Sequence, residues 1–226
     1  MSRLLGKNIK LLVCDMAGTT VNENGIIYKT MRTTLNNMGF NVTDHQMRGW
    51  YGKDKKEVLR THISYHVYGD IEPFVNQAEQ KLIKDLETLY FEDNNVSLIH
   101  YDLFNFFEKL RSNDVKIALN TGYPSKFQEK LISHLNMEEY IDSYISSDKV
   151  KCGRPYPYMI YRLAENFKLT STDCIAKIGD TIPDMLEGIN ADCGLTIGTL
   201  TGVEDKENLS KYSDFVVNNI MDLDDL

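Results

Sequence analysis

Leu11-Leu12-Val13-Cys14-Asp15-Met16-Ala17-Gly18-Thr19-Thr20-Val21 decides how the rest of the chain is read. An apolar run delivers one carboxylate to a glycine-containing turn, and two hydroxyls follow. Apolar runs of this length bounded by a turn read as strands buried on both faces. Asp15 then stands at the carboxyl end of a parallel strand, where open α/β sheets place their ligands.

Outward from this stretch, residues 9 to 14 make a first strand, and the pattern then turns helical from about Ile26 to Phe91. Tyr28, Met31, Leu35 and Met38 recur at helical spacing, with Gly39 where a helix stops. A second segment begins near Asp54, and a third runs from Phe74 to Tyr90. After Asn95 strands alternate with helices. Strands are expected at Val115–Leu119, Ser143–Ser146, Cys174–Ile178, Leu195–Ile197 and Phe215–Val217. Helices are expected over Phe127–Leu135, from Pro155 and from Pro183. Such alternation predicts a parallel sheet with right-handed crossovers. The expected fold is a doubly wound α/β core built from residues 1–21 and 95–226. Residues 22–94 form a small helical cap inserted after the first strand.

The chain has 226 residues, 42% hydrophobic and 26% charged, with a formal charge of −8. That length suffices for one core and an accessory domain. The negative charge argues against non-specific binding to nucleic acid or anionic membranes. No apolar run approaches the roughly 18 residues that span a bilayer. Without a signal-peptide pattern at the N-terminus, the expected location is cytoplasmic. Cys14, Cys152, Cys174 and Cys193 form no C-x-x-C pair and are expected as free thiols.

Four polar features fall where strand ends would converge. They are Asp15, Thr121 after Val115–Leu119, the Asp180/Asp184 pair after Cys174–Ile178, and Arg154 in a loop before a helix. Carboxylates gathered there repel one another, and a hard, oxygen-liganded cation such as Mg²⁺ relieves that cost. A hydroxyl and a guanidinium nearby could hold phosphoryl oxygens, the arginine as a bidentate partner. The chemistry expected is a magnesium-assisted attack on a phosphoryl group by a carboxylate.

These segments resemble the four motifs of the haloacid dehalogenase (HAD) superfamily. They read Asp15-Met16-Ala17-Gly18-Thr19-Thr20, Asn120-Thr121-Gly122, Gly153-Arg154-Pro155-Tyr156-Pro157 and Gly179-Asp180-Thr181-Ile182-Pro183-Asp184. The resemblance covers nearly the whole chain and implies a HAD-like, Rossmann-like core with a cap between motif one and the rest. It implies that Asp15 is a nucleophile forming a covalent intermediate and that Thr121 hydrogen-bonds the phosphoryl group. Arg154 takes the place usually held by a charge-balancing lysine. Asp15, Asp180, the Ala17 carbonyl and, through water, Asp184 surround Mg²⁺. Thr19 and Gly122 count with the substrate-binding residues. A small phosphorylated or phosphonate metabolite is the implied partner, with the protein a monomer or homodimer.

Ala17 departs from the usual pattern. HAD phosphatases carry there a second aspartate that protonates the leaving oxygen, and alanine can neither donate nor accept a proton. The Asp-x-Ala-Gly-Thr-Thr and Gly-Arg-Pro forms are similar to the phosphonatase-like branch. In that branch a cap lysine forms a Schiff base with an aldehyde, so that the leaving group needs no acid. The motif's spacing from a glycine, here Gly52, selects Lys55. Lys53 and Lys56 could supply a cation that lowers its pKa. The same residues also read as a solvated lysine cluster opening a helix capped by Asp54. Val58 and Gly25 stand where the phosphonatases have a histidine and a cysteine. A phosphomonoesterase lacking the usual acid is the alternative reading. Trp50 and Tyr51, just before Lys55, and Tyr123 after motif two are candidates to face the substrate. His62 and His66 share a helix face, more in keeping with packing than with metal binding.

Overall fold

In the computed structural model, which describes residues 8–224, the first strand is β1 (Leu11–Asp15). Its alternation sends Leu12 and Cys14 into one apolar cluster and Leu11 and Val13 into the other, so both faces are covered. Two-residue strands β2 (Val21–Asn22) and β3 (Ser97–Leu98) pair antiparallel on either side of the helical stretch. The remaining strands are β4 (Lys116–Thr121), β5 (Ser143–Ser146), β6 (Ile175–Gly179), β7 (Leu195–Thr199) and β8 (Phe215–Val217). All but β2 and β3 join one parallel sheet in the order β5-β4-β1-β6-β7-β8. From β1 the chain builds outward through β4 and β5, then crosses to β6. The crevice beside β1 is thus a topological switch point, where such sheets bind ligands.

Four helices lie between β2 and β3: α1 (Ile26–Asn37), α2 (Asp44–Arg48), α3 (Lys55–Ser64) and α4 (Glu72–Glu87). The last continues as a π-helical turn over Thr88–Glu92. Asp54 accepts a hydrogen bond from the Glu57 N–H and caps α3, as its sequence position predicts. α1 opens on Gly25 without a side-chain cap of its own. Glu23 substitutes, its carboxylate accepting from the Gly25 and Ile27 N–H groups. The helices flanking the sheet are α5 (Leu103–Ser112), α6 (Ser125–His134), α7 (Tyr158–Asn166) and α8 (Ile182–Asn190), with α9 (Lys206–Leu209) a single turn before β8. Residues 1–7 and 225–226 of the expected core lie outside the described residues.

Three details differ from the sequence reading. The β2–β3 pair is too short for a periodicity signal. Helix α7 opens at Tyr158, not at Pro155, whose peptide bond to Arg154 is cis. The insert has four helices where three were expected, and the last, α4, ends in a π turn that places Tyr90 inward and fully buried. All four cysteines are free, and no helix among the described residues is long and apolar enough to cross a membrane.

Candidate active site

Strands β1, β4 and β6 deliver their polar ends to one place. Asp15 ends β1 opposite Asn120 of β4, and Asp180 directly follows β6. Thr181 caps α8, its hydroxyl accepting from the Asp184 N–H and donating to Asp184 Oδ2 at 2.5 Å. This local turn brings Asp184 back to the strand end. Carboxylate oxygens of Asp15, Asp180 and Asp184 all lie within 4.8 Å of one another, and all three residues are buried.

Two buried cations answer them. Arg154 reaches Asp15 Oδ1 at 2.6 Å and Asp184 Oδ1 at 2.8 Å, and also donates to the Asn120 carbonyl at 2.9 Å. Its Nε lies 3.3 Å from Glu187 without hydrogen-bond alignment. The guanidinium is committed to protein groups, so the expectation that it grips phosphoryl oxygens as a bidentate partner gives way to charge balancing. Lys177, fully buried in β6, donates to Asp184 Oδ1 at 2.7 Å and to Asn120 Oδ1 at 3.1 Å. Asn120 in turn donates to Glu187 at 2.8 Å.

The protonation pattern follows from these neighbours. Burial works to raise the Asp184 pKa, but Arg154 and Lys177 outweigh it and hold the group below the ordinary carboxylate range. Burial raises Asp15, with Arg154 opposing and Asp184 adding to the rise. Asp180 goes well above its usual range through burial and the charges of Asp15 and Asp184. The Cys14 thiol beside the nucleophile candidate is pushed up to about 12 by burial, so it stays protonated.

Asp180 and Glu187 each keep one buried carboxylate oxygen without a partner, and of the two Asp180 stands among the three close carboxylates. Asp180 Oδ2 accepts from the Val203 N–H at 3.0 Å, whereas Oδ1 is buried without a partner. The backbone closes on it so tightly that a Cβ on Gly18 would lie 2.6 Å, and one on Gly202 1.8 Å, from Oδ2. An orphaned oxygen among three close carboxylates is the donor set that a hard divalent cation takes. Thr19 is also fully buried with its hydroxyl unpartnered, while Thr20 donates to the Asp15 carbonyl at 2.9 Å. Thr121 ends β4 buried, and its hydroxyl accepts from the Tyr123 N–H at 3.3 Å. Ala17 sits in the turn between them, bridged to Val21.

The helical insert reaches this cluster through Lys55. Its N–H lies 3.4 Å from the Gly122 carbonyl, and a Cβ on Gly122 would stand 2.7 Å from the Lys53 carbonyl oxygen. Only glycine admits that approach. Asp54 also accepts a hydrogen bond from the Ser147 hydroxyl. Lys55 is 8% exposed, its amine set above the rings of Tyr28 and Tyr123 at 5.1 and 5.9 Å and donating to the Lys53 carbonyl at 3.0 Å. A solvated cluster is therefore not its setting. Burial lowers its pKa, repulsion from Arg154 adds to the drop, and Asp15, Asp54 and Glu23 oppose it. The lowering cation is Arg154 and not Lys56, which pairs with Glu79 at 2.6 Å.

Trp50 packs edge-on against His62 within the insert, and Tyr51 lies against Tyr28 at 4.7 Å between ring centres. Trp50 also lines a cleft of about 950 Å³ with Lys53, Asp54, Gly122, Ser147 and Arg154; Asp15, Lys55 and Asp180 do not line it. His62 and His66 do share a face, with ring centres 4.9 Å apart. Sequence reasoning missed Lys177 and Glu187. A lysine inside Ile175-Ala-Lys-Ile-Gly179 and a glutamate one helical turn after Asp184 were the available signals. Glu23 and Tyr90, which meet across 67 residues, left none.

A parallel sheet with three carboxylates at its central strand ends and a helical insert over them defines a class. The chain belongs to the haloacid dehalogenase-like hydrolases, whose family model matches residues 12–197. Along its full length it is 27% identical to the bifunctional phosphonoacetaldehyde hydrolase/aminoethylphosphonate transaminase of Clostridioides difficile, spanning 41% of that protein. It is 28% identical to the phosphonoacetaldehyde hydrolase of Parabacteroides distasonis over 87% of this chain and 78% of the relative. In fold it is similar to the crystal structure of a phosphonoacetaldehyde hydrolase-like protein from Oleispira antarctica. That match has a TM-score of 0.77 at 18% identity and covers 96% of this chain and 91% of the other.

Proposed function

We propose that this chain is a Mg²⁺-dependent hydrolase of the phosphonatase-like type. Asp15 attacks the phosphorus of a small phosphonate whose carbonyl is activated by Lys55, with residues 22–94 as the cap over a core of 1–21 and 95–226. The observation that carries this reading is Lys55: an amine buried between two aromatic rings, lowered in pKa, and brought to the strand ends that hold Asp15.

Asp15, Asp180 and Asp184 would hold Mg²⁺, which when bound offsets their mutual repulsion and the charge of the phosphoryl oxygens. Neutral Lys55 adds to the substrate carbonyl, and loss of water leaves an iminium. As Asp15 attacks phosphorus, the C–P bonding electrons move into the iminium to give an enamine and an aspartyl phosphate. Water then hydrolyses the acyl phosphate, and protonation and hydrolysis of the enamine free the aldehyde product and Lys55. The carbon leaving group carries its electrons into nitrogen, so an acid at Ala17 is unnecessary. Arg154 pairs with Asp15 and holds it in place, and Arg154 and Lys177 together keep Asp184 ionised.

One observation favours a second reading, a phosphomonoesterase. Lys55 Nζ donates to the Lys53 carbonyl, and as an ammonium it could protonate an ester leaving oxygen. Cyanoborohydride trapping with phosphonoacetaldehyde separates the two. The expected result is a secondary amine on Lys55, absent in Lys55→Arg along with C–P cleavage. Turnover of phosphate esters with no trapping and no phosphonate cleavage would establish the phosphomonoesterase instead.

A further inference from the structure

Both rings that flank the Lys55 amine are tied by their hydroxyls. Tyr28 accepts from the Gly52 N–H at 2.9 Å. Tyr123 meets Tyr90 hydroxyl to hydroxyl at 2.7 Å, and Tyr90 donates to Glu23 Oε2 at 2.9 Å. Glu23, Tyr90 and Tyr123 are 5%, 0% and 1% exposed, so the chain of bonds is sealed from solvent. It also crosses three segments. Glu23 lies between β2 and α1, Tyr90 in the π turn that follows α4, and Tyr123 just beyond β4. Both passages between sheet and insert are thereby fastened to the loop beneath Lys55.

The direction of the bonds is set at the Glu23 end. Its carboxylate accepts from the Gly25 N–H, the Ile27 N–H and the Tyr90 hydroxyl. Tyr90 has one proton, and it points to Glu23, so the bond between the phenols must use the proton of Tyr123. Tyr123 is left with its hydroxyl turned away toward Tyr90 and its ring face held toward the amine. A buried chain of this kind acts as a unit, since the loss of one member frees the next.

We propose that Glu23 and Tyr90 are positioning residues for Lys55, acting through Tyr123. Neither hydrogen-bonds to the amine; Tyr90 bears on it through the Tyr123 ring, and Glu23 through that ring and also by its charge. Each restrains the ring that walls the amine, and with that ring the orientation from which the amine adds to a carbonyl. This rests on the reading of Lys55 as an imine-forming lysine.

The test is the rate at which phosphonoacetaldehyde and cyanoborohydride label Lys55 in the full chain, followed by peptide mass spectrometry. Tyr90→Phe keeps the ring and cuts the chain. Labelling is expected to slow about tenfold, the equivalent of one buried hydrogen bond. Tyr123→Phe is expected to slow it similarly, and the double variant no further, because both changes release the same ring. Read at a pH where the Lys55 amine is neutral in every variant, so that the lost Glu23 charge does not count, Glu23→Gln is expected to fall in the same range and to add nothing to Tyr90→Phe. Labelling of Tyr90→Phe at the wild-type rate would overturn the proposal. So would additive losses in the double variant, which are the mark of general loosening of the fold. If Tyr90→Phe does not fold, the Tyr123→Phe and Glu23→Gln pair gives the same cycle. No labelling of wild type would overturn the imine reading itself, and this inference with it.

Discussion

Lys177→Met is the sharpest perturbation the site offers. The substitution keeps the length of the side chain inside β6 and removes a fully buried charge. Asp184 Oδ1 loses its 2.7 Å donor, Asn120 Oδ1 loses a second, and Glu187 loses a cation 3.7 Å away. Breaking a buried pair from one side costs about 3–5 kcal/mol, because the remaining charge stays desolvated. In a domain of this size each kcal/mol moves the midpoint by roughly 2–4 °C, which gives a fall of roughly 6–20 °C in thermal unfolding. The variant is still expected to fold, given total stabilities of about 5–15 kcal/mol. Lys116→Met in β4, on the far side of β1 from β6, is the control: its 3.1 Å pair with Asp142 is half-exposed and worth at most about 1 kcal/mol. The loss in Lys177→Met should shrink as pH falls, because Asp184, still paired with Arg154 but without Lys177, takes up a proton at higher pH in the variant than in wild type. Differential scanning fluorimetry across pH measures both effects. A midpoint within about 2 °C of wild type would refute the view of Lys177 as a charge the site depends on.

The other expectations concern Asp180. Burial and its acidic neighbours raise the folded-state pKa well above 3.8, so the folded state binds this proton more tightly than the unfolded state does. Its contribution to stability is full below the unfolded value and is lost as pH rises through the folded one. Without Mg²⁺, wild type should therefore lose stability relative to Asp180→Asn as pH rises; Mg²⁺ should restore it in wild type alone, and identical pH profiles would contradict this. Gly202→Ala places a Cβ 1.8 Å from Asp180 Oδ2 and should weaken Mg²⁺ binding about 10–100-fold by calorimetry, with unchanged affinity counting against the cradle.

What the sequence made legible was whatever sits at a strand end. Asp15, Thr121, Asp180 and Asp184 lie where an apolar run stops, and parallel topology alone carries such positions to one edge. Lys55 was legible by its spacing from Gly52, but its burial was not, since the contact of α3 with Gly122 is tertiary. Lys177 was half-legible: a charge inside an alternating buried run demands a partner, yet the run cannot say which one. Tyr123 stood out by its place after motif two, but its bonds to Tyr90 and through it to Glu23 were illegible. The members of this chain are 67 and 33 residues apart, and neither helix spacing nor strand alternation can pair residues over such distances.

Charge accounts for why Ala17 belongs with this set. Four buried carboxylates, Asp15, Asp180, Asp184 and Glu187, face two buried cations, Arg154 and Lys177. When all are ionised, two negative charges remain, and unpartnered oxygens are left on Asp180 and Glu187. A divalent cation offsets the two charges. An aspartate at position 17 would add a fifth carboxyl in the same turn, and to serve as an acid it would have to keep its proton among these charges. Lys55 adds the opposite sign, a buried amine whose pKa is lowered by burial and by the same arginine that neutralises Asp15. On the proposed function, the assistance to the leaving group passes from a carboxylic acid beside the metal ligands to the Lys55 amine. That exchange fits a leaving group that can be activated as an imine better than one that must be protonated on oxygen.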